Sequence, residues 1–257
     1  MKPYVEVVSG GTGPHLLLVH GFLSSRAQWR PNLEGLKAFC RPVIVELWGH
    51  GRSPTPDNPD MYRVASYLAA FDEIRRDLGV ERWLVCGQSF GAGLTIRYAH
   101  QHSRHVIGQV FTNSLSALSA PGERESETNR LVRADAMERD GRPAIEALRF
   151  HPRFATRFAP EVKQEMLDDV ARISPAAVAN ALRYTTPQLS VVDCLGEIRV
   201  PSLLINGVWE RPFQPLRERA LKLLPSLGVI DLEGGHSINA EAPLLFNEAI
   251  KSFVSSF

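Results

Sequence analysis

Trp83-Leu-Val-Cys-Gly-Gln-Ser-Phe-Gly-Ala92 presents a short apolar run, a glycine-bracketed turn and the start of a helical pattern in direct succession. Trp83 to Cys86 has the continuous apolar character of a strand buried on both faces. Gly87-Gln88-Ser89-Phe90-Gly91 is a GxSxG pentapeptide, in which small residues two places to either side let the chain reverse sharply. Ala92 to Gln101 then reads as a helix. A serine in that setting is pushed into solvent at a helix N-terminus, so the stretch predicts a strand–turn–helix elbow with Ser89 as nucleophile.

The same alternation extends outward on both sides. Upstream, His15 to Val19 is a buried-strand run ending in the turn His20-Gly21-Phe22. Ser24 and Ser25 can cap a helix over Arg26 to Phe39, and Pro42 to Glu46 is a further strand. Gly49-His50-Gly51-Arg52-Ser53 follows, then a helical pattern from Met61 to Leu78. Downstream, Val106 to Thr112 closes the series. From Ser114 to Leu195 the chain is charged and helical, without a convincing strand; Ser174 as N-cap and Pro175 at the first helical position start one helix that runs to Tyr184. Strand and helix alternate again over Val200–Asn206, about Pro215–Leu224, Gly228–Leu232 and Pro243–Phe257. The pattern predicts an α/β core of residues 1–113 and 197–257, interrupted by a helical cap at 114–196. An insertion at the carboxyl end of a parallel strand lies over the face where such sheets bind ligands.

Composition narrows the function. The 257 residues carry 29 Lys and Arg against 28 Asp and Glu, a net charge of +1 that gives no reason to expect nucleic acid or an acidic membrane as partner. No apolar run is long enough to span a bilayer. Cys40, Cys86 and Cys194 are widely separated and lack CxxC spacing, which reads as reduced, buried thiols and suits a cytoplasmic protein. There is no HExxH and no GxGxxG after a strand, so neither a metal nor a cofactor is expected, and the partner is a small-molecule substrate.

A serine hydroxyl needs a base. Among the histidines, His236 in Gly234-Gly235-His236-Ser237 lies between the last strand and the last helix, on the sheet edge that carries the Ser89 turn. His20 and His50 sit beside glycines after strands, where an imidazole braces the backbone. Glu210, in the loop after the strand ending at Asn206, is the expected acid that orients the imidazole, although Arg211 beside it could hold it in a surface pair instead. Asp193 precedes a strand and Asp231 lies within one; Asn113 carries no charge. The backbone N–H groups of Phe22 and Phe90 are the expected oxyanion donors. Phe22, Trp48, Phe90 and Trp209 suggest an aromatic pocket, or else core packing. Arg130, Arg133, Arg149 and Arg153 read as a solvated helical face, with a substrate carboxylate as the sharper alternative.

The order Ser89, Glu210, His236, with His20-Gly21-Phe22 upstream, resembles the α/β-hydrolase superfamily over nearly the whole chain. Gly49-His50-Gly51-Arg52-Ser53 resembles its GxGxS turn, and Gly235-His236 with Glu241, Pro243, Phe246 and Asn247 its GH…ExPxxFN ending. The resemblance implies an eight-stranded, mostly parallel sheet with helices on both faces and a lid between strands six and seven. The chain departs from the family at Glu210, where aspartate is usual, and at Leu47-Trp48 ahead of Gly49. Ser89 in place of aspartate argues against epoxide hydrolase or dehalogenase chemistry. The reactions implied are hydrolysis of a carboxylic ester or lactone, hydrolysis of a carbon–carbon bond beside a ketone, or a triad-dependent lyase or synthase step of the menaquinone-pathway type. A ligand receptor on the same scaffold is the reading from a different class.

Overall fold

The computed structural model describes residues 1–256. Seven strands form one sheet in the order β1-β3-β2-β4-β5-β6-β7: β1 Val5–Val7, β2 His15–Val19, β3 Arg41–Val45, β4 Trp83–Gly87, β5 Val106–Thr112, β6 Ser202–Gly207 and β7 Gly228–Leu232. All neighbours pair in parallel except β1, which runs antiparallel to β3 along one edge. The sheet is α/β-hydrolase-like as expected, with seven strands rather than eight.

Continuous apolar runs are explained by burial on both faces. Leu16 and Leu18 meet Ile44, Leu84 and Cys86 on one side, under Trp29, Leu36, Phe246 and Ile250. Leu17 and Val19 meet Val43, Val45 and Val85 on the other, under Tyr67, Phe71, Leu94 and Tyr98. The covering helices are α1 Leu33–Lys37, α2 Val64–Asp77 and α3 Phe90–Gln101 in the first half, and, after the insertion, α9 Gln214–Leu223, α10 Ile238–Glu241 and α11 Pro243–Val254. The helix expected over Arg26 to Phe39 is instead a 3-10 segment, Arg26–Asn32, followed by α1. Pro31 has no N–H to donate, and its ring obstructs a regular helix at that point.

Between β5 and β6 lie α4 Leu115–Leu118, α5 Glu127–Asp140, α6 Arg142–Glu146, α7 Pro160–Val170 and α8 Pro175–Asn180, with no strand among them. The helix starting at Pro175 loosens into a π-helical turn, Ala181–Thr185, before the Pro187 turn. Arg130 of α5, itself buried, donates to the carbonyls of Leu182 and Arg183 there. Helices α5 to α8 share an apolar cluster that takes in Leu23 of the loop after β2, and Val162 and Met166 of α7 pack on Ala27. Ser25 Oγ donates to Asp169 of α7 at 2.5 Å. The helical stretch therefore rests on the carboxyl ends of the strands.

Two glycines at the Ser89 turn are required by space. A Cβ at Gly91 would run into the carbonyl oxygens of Val19 and His20, and one at Gly87 into that of Gly91. Gly79, by contrast, has φ +65° and open space around it. Gly79→Ala should thus cost only the left-handed backbone strain, about 1–2 kcal/mol. Gly91→Ala improves helix propensity, yet should lose about 3 kcal/mol to the backbone collision. Urea unfolding of the two variants checks this; a neutral or stabilising Gly91→Ala would show that β2 and α3 can move apart freely.

Candidate active site

The strand ends bring Ser89, Glu210 and His236 to one edge of the sheet. Ser89 leaves β4 with φ 51° and ψ −111°, outside the regions open to most side chains, and α3 begins at the next residue. Among the described residues only Leu23 shares a positive φ without being glycine, also at 51°, and it follows Phe22 in the turn after β2. Both strained residues border the same cavity. Strain of this kind persists only where surrounding contacts over-determine the backbone. Here Gln88 N–H is bound to Val19 O (2.9 Å) and Gln88 Nε2 to His236 O (3.1 Å).

His236 Nε2 is 2.8 Å from Ser89 Oγ, and His236 Nδ1 is 2.9 Å from Glu210 Oε1. A carboxylate only accepts, so Nδ1 carries the proton and Nε2 of the neutral ring is left to accept from the serine hydroxyl. Burial by itself lowers the pKa of His236, but the Glu210 hydrogen bond and charge, with a smaller push from Glu241, outweigh it and leave the pKa raised above 6.5. Arg211 makes no ion pair with Glu210. Instead, Gln214 Nε2 holds the Glu210 carbonyl at 3.1 Å and so fixes the loop's backbone. The other acids considered are spent elsewhere: Asp193 on Arg97, Asp231 on Arg217 and Asn206. Asn113 is buried and exchanges two hydrogen bonds with the Gly207 peptide, 2.9 and 3.0 Å, which locks β5 to β6 beside the site.

The N–H groups of Phe22 and Phe90 have no hydrogen-bond partner among the described residues, and both residues line the cavity, their rings stacked with centroids 5.2 Å apart. The cavity has a volume of about 580 Å³; Phe150, Phe154, Arg133 and Arg149 of the helical stretch complete its wall over Ser89 and His236. A broader hollow of about 760 Å³ adjoins it, sharing Leu115, Ser116 and Thr186, but none of Ser89, Glu210 and His236 lines it. Two expected pocket residues do not line the cavity. Trp48 is wholly buried in the core cluster with Tyr62 and Tyr67, because the chain turns inward there after β3. Trp209 is 53% exposed and lies under the Arg157 guanidinium, 5.4 Å from its ring centroid.

His20 and His50 are buried and neutral, with pKa values pushed down to about 3 and about 4 by burial. His20 Nε2 accepts from Leu47 N–H (3.0 Å) while Nδ1 faces Gly21 O (2.7 Å), which props the Phe22 turn. Gln28 accepts from Gly21 N–H at 3.1 Å in the same turn. Reasoning from sequence missed Gln28, Gln88 and Arg157. Gln88 occupies a variable place in GxSxG, and nothing local marks the other two. Among the described residues no group of three or more His, Cys, Asp or Glu is placed to hold a metal, and no helix is long and apolar enough to cross a membrane.

Residues 14–243 match the family model of the alpha/beta hydrolase fold. A putative 2-succinyl-6-hydroxy-2,4-cyclohexadiene-1-carboxylate synthase of Bacillus subtilis is 28% identical over 94% of this chain and 90% of its own. MenH from S. aureus superimposes with a TM-score of 0.82 at 19% identity, covering 99% of this chain and 98% of that one. A thermophilic esterase from Thermogutta terrifontis does so with 0.82 at 21%, covering 98% and 93%. The chain belongs to the α/β-hydrolase family.

The geometry sets the sign of the His236 titration. Followed by NMR of the labelled imidazole, the midpoint should lie above 6.5 in the native protein, and Glu210→Gln should lower it because the desolvation that opposes the charge remains. Since the folded-state pKa exceeds that of the unfolded chain, the pair's contribution to stability is fully present below 6.5 and fades as pH rises through the folded-state value. A midpoint unmoved by Glu210→Gln would mean that the carboxylate does not govern the ring.

Proposed function

We propose that this α/β-hydrolase family member hydrolyses a small carboxylic ester or lactone through an acyl-enzyme on Ser89. The observation that carries the reading is the unbroken relay Glu210–His236–Ser89 at the floor of a cavity, beside two backbone N–H groups with nothing to bind. His236 Nε2 takes the hydroxyl proton as Ser89 Oγ bonds to the substrate carbonyl carbon. The carbonyl oxygen becomes an oxyanion that accepts from Phe22 and Phe90 N–H, each such donor contributing about 3 kcal/mol to the barrier reduction. Glu210 stabilises the imidazolium. Collapse of the tetrahedral adduct breaks the carbon–oxygen bond, and the departing alkoxide takes the proton back from Nε2. Water then attacks the acyl-serine, giving its proton to His236, and the adduct releases the carboxylic acid as Ser89 is re-protonated. Residues 114–196 serve as a cap: they cover the cavity, and by excluding water they strengthen every charge interaction in it.

A second reading is a lyase or synthase step in which Ser89, deprotonated by His236, removes a proton from the substrate. It is favoured by the similarity to a named synthase of a carboxylate along 94% of the chain. It also fits Arg149, which lines the cavity without pairing to any described residue and is suited to a substrate carboxylate.

Turnover of short p-nitrophenyl esters and γ-lactones separates the two. The hydrolase reading expects hydrolysis that falls about 10⁴-fold in Ser89→Ala. Stoichiometric labelling of Ser89 by a fluorophosphonate with no turnover of any ester or lactone would overturn hydrolysis and leave proton abstraction.

A further inference from the structure

Arg157 is the residue of the helical stretch that reaches the loop carrying His236. Its Nε donates to Glu241 Oε2 at 2.5 Å, and its guanidinium lies over the ring of Trp209, the residue before Glu210. The Glu241 side chain is only 7% exposed, and its two oxygens accept from the N–H groups on either side of the histidine: Gly235 at 2.8 Å and Ser237 at 3.2 Å. Gly235 packs so closely under the Arg157 guanidinium that a Cβ there would collide with it. Trp209 N–H in turn donates to Gly234 O at 2.9 Å, so the acid loop and the base loop are tied together directly beneath this guanidinium.

We propose that Arg157 and Glu241 are positioning residues for His236, coupling the seated position of the helical cap to the alignment of the general base. This rests on His236 acting as the base toward Ser89. A buried carboxylate that fixes the peptides before and after a histidine leaves its ring few orientations. An arginine contributed by the cap neutralises that carboxylate only when the cap is down. If residues 149–158 lift, Glu241 loses its counter-ion, and the bracket around His236 loosens while the excess negative charge beside the ring rises. Closure over a substrate and readiness of the base then become one event. The charged and titratable groups facing His236 are Glu210 from the loop after β6, Glu241 from its own loop and Arg157 from the cap, with Arg133, Arg149 and His151 across the cavity.

The test uses the rate at which diisopropyl fluorophosphate modifies Ser89, measured against pH, alongside kcat and KM for any ester turned over. Glu241→Gln removes a negative charge near the ring, so the acid limb should move to lower pH. Arg157→Gln uncovers that charge, so the limb should move to higher pH. Both should lower the plateau rate about tenfold, with kcat falling more than KM rises, and Arg157→Lys should recover part of the loss. Arg30→Gln, which cuts a different ion pair between cap and core, to Glu165, is the control and should leave the profile unchanged. Limbs that stay in place in both variants, or an equal change in Arg30→Gln, would overturn the coupling. Absence of ester turnover with labelling intact would sink ester hydrolysis alone, whereas failure of the native enzyme to be labelled would sink the base assignment and this inference with it.

Discussion

The bond from His236 Nδ1 to Glu210 Oε1 constrains everything around it. It fixes one tautomer, which leaves Nε2 of the neutral ring to accept from the Ser89 hydroxyl. It also puts a carboxylate in a costly place. The Glu210 side chain is 14% exposed, and its second oxygen, Oε2, is buried without a partner. An under-satisfied carboxylate costs free energy on the order of 1–3 kcal/mol. That cost is offset when the imidazole becomes charged, since the attraction between the two is strongest in the state that a proton transfer creates. On the proposed mechanism, a charged intermediate recovers what the buried carboxylate costs.

The backbone follows the same logic. Ser89 and Leu23 sit in left-handed conformations that neither side chain favours, at the ends of two adjacent parallel strands, β4 and β2. Each strained peptide is held by packing that leaves no alternative. Gly87, Gly91 and Gly21 admit backbone or the Gln88 amide so closely that a methyl group would not fit. In these two turns the N–H groups of Phe90 and Phe22 bind no described residue.

Much of this was written in local sequence, and the remainder was not local. The strands, the strand-free stretch before β6 and the residues Ser89, His236 and Glu210 follow from apolar runs and from loops placed after strands, since parallel strands send their carboxyl-end loops to one edge. Short-range rules failed where a side chain's destination depends on a distant partner. Trp48 and Trp209 both follow strands and both suit a pocket, yet the first turns into the core and the second lies outside, under Arg157. Arg157 itself is one of several arginines in the segment Arg149–Phe158, and nothing within that run separates it from Arg149 or Arg153. Only its meeting with Glu241 distinguishes it, across 84 positions in the chain. Pro31 interrupts the Arg26–Phe39 stretch, and a reading by apolar spacing alone passes over it.

The loop that presents Glu210 to His236 accommodates the length of a glutamate. Glu210 ends a tight turn after β6 whose carbonyls are gathered by a single side chain. Gln214 Nε2 donates to the carbonyls of Gly207 (3.3 Å) and Glu210 (3.1 Å), and Asn206 Nδ2 donates back to Gln214 Oε1 (3.0 Å). Gly207, at the root of that turn, is locked by Asn113 on one side and packed against the Gly235 carbonyl on the other. The extra methylene of glutamate, relative to aspartate, needs its backbone set farther from the imidazole. A loop pinned at both ends holds that longer distance without letting the carboxylate wander. The length of the acid and the rigidity of its loop therefore have to be read together: with a mobile loop, the added rotatable bond would have cost the alignment that the shorter side chain provides.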